Sequence, residues 1–104
     1  MNLFLYRLIP PRPQTFAFDM TDEERLAMMK HVQYWTEQAK ANKVLVFGPV
    51  ADPEGTFGVA VLALDDADDP ETLCKHDPTI EANLGFTYKL HPMPKFGIAA
   101  GFAL

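Results

Sequence analysis

His31 is the side chain in this sequence best suited to proton chemistry. An imidazole exchanges its proton close to neutral pH, where other unperturbed side chains do not. His31 lies in a segment with helical periodicity, at the border of the apolar stripe and about 40° from Trp35, with Tyr34 and Gln38 on its other flank. A side chain at such a border can point into a cleft while its neighbours pack. The same position suits a half-buried histidine at the edge of a core. Asp77 is the second candidate. Pro78 restricts Asp77 to extended backbone angles and so fixes the direction of its carboxylate. A carboxylate held in this way can orient an imidazole and stabilise its charged form, the pairing used in general acid–base sites. Asp-Pro also initiates turns, and Asp77 could simply cap the turn that follows.

Other reactive residue types are less well placed. Gly48-Pro49 gives a backbone that a ligand can approach closely, and equally a rigid strand terminator. His76 and His91, even with the acidic run Asp65 to Asp69, lack the spacing of a metal-ligand motif, so no metal is expected. The acidic run reads as a solvated loop. Cys74 has no catalytic motif around it and reads as structural, although Lys75 and His76 could lower its pKa. The sequence has no Gly-rich phosphate loop and no serine nucleophile elbow.

The elements that must position these residues follow from hydrophobic pattern and punctuation. Leu3 to Ile9 reads as a first strand, stopped by Pro10-Pro11-Arg12-Pro13. Phe16 and Phe18 are expected to anchor the connector that follows as a folded loop. Thr21-Asp22-Glu23-Glu24 has capping-box spacing and opens a helix from about Asp22 to about Ala41, with Met28, Val32, Trp35 and Ala39 on its apolar stripe. Val44 to Phe47, ended by Gly48-Pro49, and Gly58 to Leu64 read as a second and third strand. A short helix to about Lys75, a turn near Thr79 to Asn83 and a fourth strand from about Phe86 to His91 complete a β-α-β-β-α-β order. That order predicts an α+β, ferredoxin-like domain over residues 1–104, a four-stranded antiparallel sheet with a tail from about residue 92.

Composition sets the boundaries. With 9 Lys+Arg against 14 Asp+Glu the net charge is −5, which argues against nucleic-acid binding. The apolar runs are far shorter than the roughly 20 residues that span a bilayer, and the N-terminus does not read as a signal peptide, so a cytoplasmic protein is expected. The second and third strands are apolar at nearly every position, yet two helices cover only one face of a sheet. The other face therefore calls for a second copy, forming a homodimer through sheet faces and a cleft that His31 borders, or for the chain's own tail.

Taken together, Thr21-Asp22-Glu23-Glu24-Arg25, Met29-Lys30-His31-Val32-Gln33-Tyr34-Trp35, Val46-Phe47-Gly48-Pro49-Val50, Asp52-Pro53-Glu54-Gly55-Thr56-Phe57-Gly58, Asp77-Pro78 and Pro92-Met93 resemble the YCII-related (YciI-like) family. The resemblance runs from the first strand to about Met93 and implies a homodimer of the dimeric α/β barrel type. It also implies an active site at the pair matched here by His31 and Asp77. Relatives resemble a dehydrochlorinase of chlorinated hydroxyhydroquinones, and the wider superfamily holds muconolactone isomerase and monooxygenases that need no cofactor. The Pro-rich connector and apolar tail depart from the shortest members of the family.

The resulting expectation is a cofactor-free protein in which His31 is the general base or acid and Asp77 orients it. The substrate is a small, ring-bearing molecule in a pocket lined by Tyr34, Trp35, Gly48 and Pro49, and the reaction an elimination or isomerisation. The competing reading is a non-catalytic ligand-binding or dimerisation module of the same fold. A third gathers the three histidines into a metal site.

Overall fold

Alternation along the first strand decides which side of the sheet the helices occupy. In the computed structural model, which describes residues 1–101, Tyr6 and Leu8 of β1 (Asn2–Ile9) point into the core, while Leu5, Arg7 and Ile9 point the other way. The remaining elements are α1 (Phe16–Asp19), α2 (Asp22–Lys40), β2 (Val44–Val50), β3 (Phe57–Leu64), α3 (Pro70–Lys75), α4 (Pro78–Glu81) and β4 (Thr87–Met93). The strands lie in the order β2-β3-β1-β4 and every neighbouring pair is antiparallel. The architecture is α+β and ferredoxin-like, with two one-turn helices, α1 and α4, where the sequence suggested loop and turn. The core packs Tyr6, Leu8, Leu62 and Leu64 of the sheet against Trp35 of α2 and Cys74 of α3.

The capping box starts α2 as the spacing predicted. Thr21 Oγ1 accepts from the Glu24 amide at 3.1 Å, and the Glu24 carboxylate accepts from the Thr21 amide at 2.9 Å. On the apolar stripe Trp35 is fully buried, and Met28 and Ala39 pack on the core. Val32 stays 49% exposed and lies at the mouth of the cleft described below.

Both strand ends that the prolines were expected to set run further. β2 continues through Gly48-Pro49, where Pro49 pairs with Gly58, and β4 continues through Pro92, opposite Phe4. The physical reason is position. β2 and β4 are the two edge strands, and a residue without an N–H is tolerated where one side of the strand has no ladder to complete.

The Pro-rich connector is tied down at several points. Arg12, held at a φ of 50°, donates to Asp19 at 3.1 Å and to the Glu24 carboxylate at 2.7 Å. Thr56 N donates to Pro13 O at 3.0 Å, and a Cβ on Gly55, whose φ is 150°, would come within 2.8 Å of Pro13 Cβ. Phe16 is buried edge-on against Phe86, with ring centroids 5.4 Å apart, but Phe18 is 87% exposed. Only one of the two expected anchors is therefore an anchor, because a single helical turn sends Phe16 and Phe18 in different directions.

The face turned away from the helices carries Leu5, Ile9, Val59 and Val61, all half-buried, and Val46, which is 59% exposed. Toward β4 it becomes polar, with Arg7 opposite Lys89 and Leu5 opposite His91. The tail crosses one end of this face. Phe96, Gly97, Ile98 and Ala99 share a shallow groove there with Leu3, Val46 and Val61. The last tail residues, 102–104, lie outside the described residues.

Candidate functional site

Asp77 sits between α3 and α4, where Pro78 begins a new turn and forces a break in direction. It is completely buried, and such a carboxylate needs hydrogen-bond donors on every side. It has them. The Thr79 amide donates to Oδ1 at 3.0 Å and the Thr79 hydroxyl at 2.8 Å, so Asp77 is the N-cap of α4. Tyr6 Oη donates to Oδ2 at 2.8 Å and Trp35 Nε1 donates to the same oxygen at 2.7 Å. His31 Nδ1 lies 3.0 Å from Oδ1 and 2.8 Å from Oδ2. The turn-capping and imidazole-orienting readings of Asp77 thus describe one side chain with both sets of contacts.

These contacts set the charge. Burial pushes the Asp77 carboxyl up, but the hydrogen bond and charge of His31, with the Trp35 and Thr79 donors, outweigh it and hold the pKa at about 2. At neutral pH Asp77 is a carboxylate with no proton to give, so the hydrogen shared with His31 belongs to Nδ1. In neutral imidazole the lone pair is then on Nε2. Burial, followed by the adjoining Asp77 charge, raises the Tyr6 hydroxyl far above its ordinary range and keeps it a donor.

A pH dependence of folding follows. The Asp77 pKa falls from an ordinary 3.8 to about 2 in the folded protein, so the ionised group favours folding above pH 3.8. That contribution, about 2 kcal/mol, fades as pH falls through this interval. Urea denaturation across the acid range is expected to show the loss, and Asp77→Asn should flatten that part of the profile. An unchanged acid slope in the variant would contradict it.

His31 also lines an apolar cleft of about 280 Å³ on the helix side of the sheet. Its walls come from one end of β1, β2 and β3, from the connector through α1, from the first half of α2 and from Phe86. Among the described residues Nε2 has no hydrogen-bond partner, and no buried side-chain nitrogen is left unpaired, so Nε2 keeps some exposed surface on a residue that lines the cleft.

Gly48 and Pro49 line this cleft, and a Cβ built on Gly48 meets nothing within 4 Å, so the space beside it is open. Tyr34 and Trp35, expected in the wall, are placed behind it. Trp35 is fully buried with its N–H on Asp77, and the Tyr34 hydroxyl donates to Leu73 O at 2.6 Å. A helical wheel gives a residue's direction but not its depth, which is why the two were assigned to the wall. A cleft beside His31 is already lined within one chain, and the Pro-rich connector through α1 supplies part of its wall.

Tyr6 is the site residue that the motif search missed. A signal was present: it lies at an inward strand position, and a buried phenol needs an acceptor. Cys74 is buried and its thiol is pushed up to about 12, by burial first and then by the charges of Glu71, Asp77 and Asp69, so Lys75 and His76 do not activate it. The histidines are apart: His76 pairs with Glu81 at 3.3 Å on the surface, and His91 lies on β4.

A one-sided α/β sandwich with a buried carboxylate steering an imidazole toward an apolar cleft defines the class: a ferredoxin-like domain with a candidate acid–base pair. The chain belongs to the YCII-related domain family, whose model matches residues 3–94. Among curated proteins none matches the chain. No helix among the described residues is long and apolar enough to cross a membrane.

Proposed function

We propose that this protein is an acid–base catalyst in which His31 moves the proton and Asp77 positions it, acting on a small, ring-bearing molecule held in the cleft between α2 and the sheet. The observation that carries the reading is the contact of His31 Nδ1 with a fully buried Asp77 at 2.8 Å, on a histidine that lines an apolar cavity. An ionised Asp77 accepts the Nδ1 proton and leaves the lone pair of the neutral ring on Nε2. Nε2 takes a proton from carbon or oxygen of the substrate, and the imidazolium that forms faces the Asp77 carboxylate. Returning the proton to a neighbouring atom gives isomerisation, and departure of a leaving group gives elimination.

The test is deuterium exchange in D2O, followed by NMR, on a panel of enolisable lactones, cyclic ketones and hydroquinones. The wild-type protein is expected to accelerate exchange on at least one of them, and His31→Ala to lose that acceleration. Equal exchange with the wild type and His31→Ala would end the catalytic reading. Saturable binding without exchange would favour the ligand-binding module.

The uncovered apolar part of the sheet face supports a homodimer with sheets opposed, the tail forming one border of the contact. Sedimentation at micromolar concentration is expected to give twice the 11.7 kDa chain mass, and Val61→Glu to give the single chain. A wild-type protein that sediments only as the single chain would remove the dimer.

A further inference from the structure

We propose that the cleft beside His31 selects an uncharged molecule of one or two fused rings bearing a weakly acidic hydroxyl, and rejects carboxylates and phosphates. This rests on the reading of the cleft as the place where His31 works.

Size comes first. A dry apolar cavity of roughly 150 Å³ accommodates benzene. The cleft, at about 280 Å³, has room for a substituted single ring or a fused pair, and not for a nucleotide or a conjugated carrier.

The walls then select for polarity. Leu8, Phe16, Met20, Met28, Phe47 and Phe86 all contribute to the lining, and aromatic and thioether groups favour contact with a flat ring. The polar side chains of the lining are His31 and Thr56, and the Thr56 hydroxyl is committed as a donor to Val50 O at 3.1 Å. The lining side chains therefore offer acceptors, Nε2 of a neutral His31 and the Thr56 oxygen, and no free donor. A hydroxyl on the ring edge satisfies one of these acceptors, whereas a group that only accepts would be buried without a partner.

Charge narrows the choice further. Among the described residues no lysine or arginine lines the cleft. Arg7 stacks its guanidinium 4.7 Å from the Phe57 ring and belongs to the strand positions that face away from the helices. Arg12 is occupied by Asp19 and Glu24. A carboxylate would have to shed its water for one N–H of an imidazolium whose charge Asp77 already balances, in a protein of net charge −5. A phenol-type hydroxyl enters neutral, and its proton is the one Nε2 is placed to accept.

Three probes separate these terms: 2-naphthol, naphthalene and 2-naphthoate, titrated into the full-length protein near pH 7 and followed by protein NMR. The expected order is 2-naphthol tightest, naphthalene weaker by about three- to tenfold, and 2-naphthoate weaker than 2-naphthol by at least tenfold. Equal or tighter binding of 2-naphthoate overturns the proposal, as does failure of all three to bind at about 1 mM. Val32→Arg places a cation at the exposed rim and is expected to restore 2-naphthoate to within a few-fold of 2-naphthol, which a denatured or non-binding variant cannot mimic. His31→Ala distinguishes the two readings. If it keeps the discrimination against 2-naphthoate and loses the hydroxyl preference, both stand. If the hydroxyl preference also survives, the selection against anions stands and His31 is not the proton acceptor.

Discussion

Asp77→Ala is expected to lower the unfolding free energy by about 3–5 kcal/mol. The substitution removes a single acceptor that serves donors from three directions: Tyr6 on β1, His31 and Trp35 on α2, and Thr79 on α4. Tyr6, Trp35 and Thr79 are almost completely buried, so water cannot readily replace the carboxylate. Each orphaned buried donor costs about 1–3 kcal/mol, and loss of the cap on α4 adds about 1 kcal/mol, with partial relaxation reducing the sum. In a domain of this size the melting temperature should fall by about 15 °C or more. Tyr6→Phe, which deletes one donor and leaves the carboxylate its others, is expected to cost far less. Chemical denaturation of the two variants checks the pair, and a loss under about 1 kcal/mol for Asp77→Ala would show that these contacts do not hold the layers together.

The second large effect concerns turnover. Asp77→Asn keeps the shape of the side chain but replaces an obligate acceptor by a group that can also donate. An amide N–H directed at Nδ1 favours the opposite tautomer, with the proton on Nε2 where the substrate must deliver its own. Loss of base strength and orientation together is expected to reduce the rate of His31-dependent exchange by about 10²- to 10⁴-fold, measured per folded molecule. Ring ¹⁵N shifts of His31 give an independent readout, because the two tautomers differ in which nitrogen carries hydrogen. A variant with the wild-type tautomer and the wild-type rate would refute the positioning role of Asp77, whatever its stability.

Much of this arrangement can be read along the chain. The capping box at Thr21 and Glu24, the period of α2 and the order of strands and helices are local patterns, and local patterns translate directly into elements. His31 and Asp77 were each legible as candidates, one at a stripe border and the other before Pro78, and their pairing followed from the resemblance to the YCII-related family. What the chain did not reveal depends on neighbours distant in sequence. Pro49 and Pro92 stop strands only if those strands are internal, and edge status is a property of the sheet. Tyr6 reaches Asp77 across 71 positions of sequence, a contact that no periodicity reports. The wall that the connector lends the cleft depends on how the Arg12 clamp and the Pro13 contact fold it back, and composition shows only that the connector is stiff.

The double employment of Asp77 has an evolutionary corollary. Since the aspartate that contacts the imidazole also begins a helix and ties β1, α2 and α4 together, selection for a stable chain would preserve it even in a descendant without the proposed activity. Retention of that aspartate in another sequence is consequently poor testimony to chemistry. On the proposed function, His31 is the position whose loss or survival would tell a working copy from a retired one.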